Sequence, residues 1–499
     1  MEPNYWNEQR KEERYVARYI LVVDQGTTST RVVLFDESFH TVDMTRRKLK
    51  VFYPKEGWVE QSAREIADSV EECIKEIMER NNLQPCDIAA MGITNQRETT
   101  IAWRKSTGDP LYNAIVWQCR RTAGRCNELR EMKCDKMIKQ RTGLDVDPYF
   151  SATKMEWLLE NVEEIRKAWK DADLAIGTVD AFLMFKLTGQ NITDLSNASR
   201  TMLFNIIELK WDEELLRMFG VAPELLPEVK PSAGFLGETR FGFPVTAIVG
   251  DQQGALFGQK CFEAGDIKCT YGTGAFILMN IGEEPRIFES VLTTVAWKIK
   301  DLPVIYALEG SIFNCGTVLD WLIEKMELVK DYDELTELFE KTGSTDLFFV
   351  PALTGLGAPH WDPKARGLFI GVNRSTDRCA FVRAAVEGII FSVQELLDYM
   401  KEVLEVTPGT IRVDGGMAKN SIFMQFQADV SGLEVFRPHD VESTARGTAM
   451  LAWLGAEMGS MEELKALEIS GEVFKPGEFD IKKYNLWKKA VERSKNWST

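Results

Sequence analysis

Two kinds of hydrophobic pattern alternate along this chain: short unbroken apolar runs, and longer stretches with apolar side chains at helical spacing. Tyr19 to Val23 is a β-rich apolar run ending at Asp24, and Arg31 to Phe35 is a second. Between them, Gln25-Gly26-Thr27-Thr28-Ser29-Thr30 is small and polar, so the segment predicts strand, tight turn, strand. Ala63 to Arg80 and Tyr149 to Asn161 carry helical periodicity. Ile88 to Ile93 reads as another short strand, leading into Thr94-Asn95-Gln96-Arg97-Glu98. Strands alternating with helices indicate an α/β protein.

Near residue 245 the pattern restarts. Val245 to Val249 is an apolar strand ending at Gly250-Asp251, and Gln252 to Gly258 reads as the first turns of a helix. Asp266 to Thr270 then enters Tyr271-Gly272-Thr273-Gly274, and Ala275 to Ile281 leaves it. This second strand-turn-strand with Thr and Gly in its turn points to two related lobes. Pro351 to Gly371 reads as a long ordered loop. Thr410 to Val413 is a strand ending in Asp414-Gly415-Gly416, with a helix expected from Ala418.

Composition narrows the classes. The 499 residues are 44% hydrophobic and 27% charged, which suits a globular protein with sizeable cores. Sixty Lys and Arg stand against 76 Asp and Glu, a net charge of -16, and so a general nucleic-acid binder is not expected. No apolar run approaches the length of a membrane span, so no stable membrane insertion is expected. The first eighteen residues form a charged arm without a signal-peptide core, and a cytoplasmic protein is expected. Nine scattered cysteines without a C-x-x-C pair suggest reduced, buried thiols. With three histidines there is no H-E-x-x-H, and neither G-x-S-x-G nor G-x-x-x-x-G-K-[ST] occurs. A nucleotide enzyme of this sequence must hold phosphate by another device.

The two Thr/Gly turns are candidates for that device, because small residues let amides and hydroxyls approach phosphate oxygens. Thr27, Thr28 and Ser29 offer hydroxyls, Arg31 adds a cation, and Asp24 could orient water around a magnesium ion. The same residues also suit plain hairpins. Asp251, at a strand's carboxyl end, could accept a proton from a substrate hydroxyl, or could cap the following helix. Arg97-Glu98 could be a solvated loop pair, or a donor and an acceptor fixed side by side for a small polyol. Trp117 and Tyr149 are ordinarily core residues, and His360 reads as structural.

At this point the residues carry a resemblance. Asp24-Gln25-Gly26-Thr27-Thr28, Gly92 to Thr100 and Asn113 to Thr122 resemble the glycerol kinases, a subfamily of the FGGY carbohydrate kinases. So do Gly250-Asp251-Gln252-Gln253, Thr270 to Gly274 and Asp414-Gly415-Gly416. The resemblance covers residues 19 to at least 455. It implies two lobes of the actin-like, ribonuclease-H-like ATPase fold with the active site in the cleft between them. The implied division is an N-terminal arm (1–18), a mainly glycerol-binding lobe (19–258) and a mainly nucleotide-binding lobe (259–499).

The implied activity is ATP-dependent phosphorylation of glycerol to sn-glycerol 3-phosphate in glycerol catabolism, with magnesium, in a homo-oligomer (dimer or tetramer). By matching positions, Arg97, Glu98, Tyr149, Asp251 and Gln252 would hydrogen-bond glycerol, while Trp117 and Phe276 pack on its carbons. Asp251 would be the general base. Thr27, Thr28, Ser29, Arg31 and Thr273 would contact phosphates. Gly316, Gly416 and Asn420 match positions near the nucleotide, and Asp24 matches the magnesium-associated acid.

The chain departs from this pattern twice. Asp320 stands where bacterial relatives carry a Gln near the nucleotide. The Gly/Arg-rich loop that binds the inhibitor fructose 1,6-bisphosphate in bacterial relatives is reduced here to Gly237 to Phe243. Two rival readings are a kinase for another polyol or sugar, and an actin-like ATPase that regulates binding or assembly. A catalytically dead scaffold is disfavoured, since no matched catalytic position is replaced.

Overall fold

The structure is a computed structural model that describes residues 18–440 and 442–498. All but Arg18 of the expected N-terminal arm therefore lies outside the described residues.

The first sheet is built around Tyr19–Gln25, whose alternate side chains face two different cores. Leu21 and Val23 pack with the helix Ala63–Arg80, while Ile20 and Val22 face a second apolar layer containing Ala445 and Ala449. A strand covered on both faces reads as a continuous apolar run, as it does here. The six strands lie in the order Thr41–Lys48, Ser29–Phe35, Tyr19–Gln25, Ile88–Asn95, Pro244–Gly250, Ala233–Glu238. The first three are antiparallel neighbours, and Tyr19–Gln25, Ile88–Asn95 and Pro244–Gly250 are mutually parallel.

The second sheet repeats this plan. Val304–Ile312, Ala275–Gly282 and Ile267–Tyr271 are antiparallel neighbours, and Ile267–Tyr271, Thr410–Asp414 and Glu434–Pro438 run parallel. Leu292–Lys298 and Gly471–Phe474 flank it. The shared order of three antiparallel and two parallel strands is that of the two-lobed, ribonuclease-H-like α/β fold. A smaller sheet containing Thr100–Arg104, Ala114–Ile115 and Leu174–Thr178 sits beside the first and carries Trp117 just beyond a strand end.

One helix from the second half of the sequence belongs spatially to the first sheet. Ser443–Gly455 packs on its inner face and crosses Asp251–Gly258, where Gly258 meets the Ser443 carbonyl and Gly447 meets the Gly254 carbonyl. A Cβ at either glycine would overlap the opposing backbone, so the crossing requires glycine.

Most predicted elements match to within two residues, and Ala63–Arg80 does so at both ends because Ser62 caps its first turn. Three details differ. The helix expected from Tyr149 begins at Ser151, since the Tyr149 amide instead donates to Asp147 Oδ1 at 2.9 Å in a side-chain-closed turn. The helix expected from Ala418 begins at Ser421, preceded by a 3₁₀ turn over Met417–Lys419. The loop Pro351 to Gly371 contains a short strand, Leu368–Ile370, paired with Phe348–Val350. Among the described residues no helix is long and apolar enough to cross a membrane.

Candidate active site

Strand register brings the predicted residues to one edge of the first sheet. Gln25, Asn95 and Gly250 lie in one row across three parallel strands, with Asp24 one row behind and Asp251 one residue beyond. Ligands of open α/β sheets bind outside the carboxyl ends of parallel strands, and this edge faces the second lobe.

The turn after Ile88–Asn95 sets the polyol candidates. Thr99 donates its amide to the Arg97 carbonyl at 2.7 Å, closing a turn about Glu98, whose φ is 60°. A left-handed glutamate is strained, and such conformations persist where the surroundings enforce them. Here Thr100 and Ser151 hydroxyls both donate to the Glu98 carbonyl, at 3.1 and 3.0 Å. The solvated-loop reading of Arg97-Glu98 is overturned, because both side chains are buried.

Arg97 donates through Nη1 and Nη2 to Glu309 at 2.6 and 3.0 Å, and through Nη1 to Gln253 at 3.2 Å. Its Nε lies 3.2 Å from Asp251 Oδ1. Glu98 accepts from Arg200 Nε at 2.7 Å.

Asp251 is the first residue of its helix and not the N-cap, which is Gly250. Its Oδ1 accepts the Gln252 amide at 2.7 Å, while Oδ2 receives no hydrogen bond among the described residues. Although 32% of the side chain is exposed toward the cleft, desolvation by the surrounding protein pushes its carboxyl up to about 6, against the opposing pull of Arg97 and with a push from Glu98. A carboxylate tuned near neutrality with a free oxygen suits a general base. Gln252 accepts from Lys268 Nζ, which also donates to Thr270 Oγ1 at 2.8 Å. Burial lowers the pKa of that lysine.

The apolar wall is Trp117 against Tyr149, ring centroids 5.6 Å apart in an edge-to-face pair. Burial raises the Tyr149 phenol, which stays a neutral donor. Phe276, half-buried on Ala275–Gly282, stands in register with Thr270 and Ser311 on the opposite lobe.

On the phosphate side, Thr27 Oγ1 donates to Gln96 at 3.3 Å and accepts from Trp117 Nε1 at 2.9 Å, while the Thr28 hydroxyl is exposed and unpaired among the described residues. Ser29 is buried at the start of its strand. Arg31 donates to Asp24 and, at 2.6 Å, to Glu442.

Asp24 tests whether magnesium fits. The residue is buried, Arg31 holds Oδ2, and Oδ1 carries no hydrogen bond among the described residues. Among those residues no cluster of three or more ligating side chains exists. One carboxylate with a free hard oxygen fits a magnesium ion that is held mainly by phosphates and water.

The second lobe contributes the facing wall. Gly316 donates its amide to the Gly272 carbonyl at 2.9 Å, placing a helix start against the Gly272–Gly274 turn and exposed Thr273. Asp320 lies one turn further along, exposed, and accepts from the Tyr332 hydroxyl. Gly416 is exposed with open space around its Cα, whereas Gly415 carries the backbone demand, with φ 93° and the Tyr271 carbonyl against it. Asn420 spends its Oδ1 capping Ser421–Ser431 and its Nδ2 on Thr336 at 2.6 Å.

Glu309, Arg200, Gln253 and Lys268 were not legible as site residues. For Glu309 and Lys268 the signal was a single charge inside a strand, in Val304–Ile312 and Ile267–Tyr271, whereas Arg200 in a turn and Gln253 in a helix carried none. His360 pairs with Glu395 at 2.8 Å, in keeping with a structural role.

Two duplicated lobes with carboxylates at the facing strand ends define a cleft phosphotransferase of the actin-like fold. Residues 19–258 match the N-terminal domain, and residues 267–456 the C-terminal domain, of the FGGY family of carbohydrate kinases. The chain belongs to that family. It is 46% identical to a glycerol kinase of Carboxydothermus hydrogenoformans over 496 residues, covering 96% of this chain and 99% of the relative. It is also 46% identical to glycerol kinase 2 of Thermotoga maritima, covering 96% and 99%. Among solved structures, glycerol kinase of Plasmodium falciparum with ADP superposes with a TM-score of 0.90 at 36% identity, covering 95% of this chain and 98% of that one.

Proposed function

We propose that this chain transfers the γ-phosphoryl group of ATP to glycerol, giving sn-glycerol 3-phosphate and ADP. The observation that carries the reading is Asp251, a carboxylate with one free oxygen, set 3.2 Å from the Arg97 guanidinium beside Glu98. Full-length similarity to glycerol kinases supports the same substrate.

Glycerol has six heavy atoms, so its binding is limited to about -9 kcal/mol at the ceiling for small ligands. Each hydroxyl therefore needs partners. In the proposed site Arg97, Tyr149 and Gln252 donate, Glu98 and Asp251 accept, and Trp117 and Phe276 cover the carbon edge. Asp251 takes the proton of the terminal hydroxyl as that oxygen bonds the γ-phosphorus and the bond to the ADP oxygen breaks. Thr27, Thr28, Ser29 and Arg31 hold phosphate from the first lobe and Thr273 from the second. Gly316, Asp320, Gly416 and Asn420 form the nucleotide wall, the last by fixing the helix start. Asp24 would hold magnesium, which would supply charge neutralisation on the phosphates when bound.

A substrate panel tests the reading. Glycerol should exceed other polyols and sugars in kcat/KM by at least tenfold, and a higher value for a sugar would replace it. The proposal places the enzyme in the cytoplasm, supported by nine free cysteines. The homo-oligomer, dimer or tetramer, rests on the resemblance, and light scattering at assay concentration reads it.

A further inference from the structure

Behind the proposed glycerol contacts lies a second layer of charge. Arg200 and Glu309 are both 0% exposed and joined at 3.0 Å. Arg200 follows the short helix Leu195–Ala198 on the first lobe, and Glu309 projects from Val304–Ile312 of the second. Burial alone would raise the Glu309 carboxyl, but Arg200 and Arg97 outweigh it and hold it down at about 2.

We propose that Arg200 and Glu309 are positioning residues for the polyol site, orienting Glu98 and Arg97 so that each turns one free polar edge to the substrate. The inference rests on the glycerol contacts proposed above. Arg200 Nε occupies Glu98 Oε1, and Oε2 has no hydrogen bond among the described residues. Glu309 takes one N–H from each terminal nitrogen of Arg97, Gln253 takes another, and Asp251 faces Nε. Of the five guanidinium donors, one N–H on Nη2 remains. The fork geometry fixes the plane in which that donor points.

Stability alone is a poor explanation for such a cluster, because buried ion pairs are often replaceable by apolar residues without loss. Arg200 also keeps Nη1 buried with no hydrogen-bond partner among the described residues, which is costly. Its guanidinium carbon lies 5.7 Å from the Tyr149 ring centre and 5.3 Å from that of Phe150. Arg200 thus bonds Glu98 directly, sets its guanidinium beside the Phe150 and Tyr149 rings, and reaches Arg97 through Glu309.

Steady-state kinetics of Arg200→Lys tests this. Lysine keeps the charge but cannot address Glu98 and Glu309 with separate planar donors. Glycerol KM should rise at least tenfold, with ATP KM changed less than twofold and the melting temperature within a few degrees. In a Glu98→Gln background, Arg200→Lys should raise glycerol KM several-fold less than it does alone, because part of its effect runs through Glu98. Glu309→Gln, which preserves shape, provides an independent variant with the same expected split.

Equal rises in both KM values, additive effects in the double variant, or an unchanged glycerol KM would overturn the proposal. Failure of both Arg200→Lys and Glu309→Gln to fold would overturn it too, assigning the pair to stability. If the wild-type enzyme prefers another polyol, the substrate reading fails separately, and the same cycle run with that polyol still decides the positioning role.

Discussion

Trp117 donates its indole N–H to Thr27 Oγ1 at 2.9 Å, so the wall proposed for glycerol's carbons is tied to the turn proposed for phosphate. The hydroxyl's own proton goes to Gln96. With its donor used, Thr27 offers phosphate its amide, and the exposed Thr28 hydroxyl is the free donor of the turn. Trp117→Phe keeps an aromatic face but loses the second ring of the indole and one hydrogen bond of about 1 kcal/mol, so the effect should be at least roughly fivefold. It should raise KM for both substrates, whereas Thr28→Ala should raise ATP KM alone. Initial-rate measurements varying each substrate would separate the two, and a Trp117→Phe effect confined to glycerol would show that the link carries nothing.

Asp251 gives a prediction in two parts. Asp251→Asn should lower turnover by about 10²–10⁴-fold, the usual range for general-base help, while glycerol still binds. Its carboxyl sits at about 6. The base works ionised, so kcat/KM for glycerol should be flat above that pH and fall tenfold per unit below it. The acid limb should vanish from the residual activity of the variant. A wild-type profile flat to pH 4.5 would remove Asp251 from the role.

Asp320, on the wall proposed for the nucleotide, accepts from Tyr332. A carboxylate accepts only, whereas Gln also donates. Asp320→Gln should therefore shift the ratio of ATP to GTP use by a few-fold and leave glycerol binding unchanged. Calorimetric titration with glycerol checks the second half. A changed glycerol affinity with unaltered nucleotide preference would contradict the placement.

The short segment Gly237 to Phe243 gives a prediction about regulation. It forms the turn between Ala233–Glu238 and Pro244–Gly250, with Phe241 and Phe243 stacked at 5.9 Å. Its one cation, Arg240, is paired with Glu71. A bisphosphate needs clustered cations or free amides. Millimolar fructose 1,6-bisphosphate at constant free magnesium should leave the initial rate unchanged. Saturable inhibition abolished by Arg240→Ala would show that the turn still forms a regulatory site.

The sheets were legible because each central strand is an apolar run closed by a polar strand end, and the helix at Ala63 because its apolar stripe marks it. The residues proposed to face glycerol were singled out together only through resemblance. Spacing alone left Arg97-Glu98 open between a loop pair and a polyol contact, and Asp251 open between a base and a cap. What removes those alternatives is tertiary: Glu309 arrives from another lobe to bury Arg97, and Gly250 holds the cap position. The charges of Glu309 and Lys268 sit in strands whose facing partner no local pattern reveals. Gly416 resembled a nucleotide position, yet the backbone constraint falls on Gly415, because φ is set by the close approach of Tyr271.

The most direct measurement is the stoichiometry of ADP release against glycerol 3-phosphate formed, followed with and without glycerol at saturating magnesium-ATP. ADP release should be negligible without glycerol and, with it, should match glycerol 3-phosphate one for one. ATP hydrolysis that is independent of glycerol and yields no phosphorylated polyol would contradict this, and would point to an actin-like ATPase instead of a kinase.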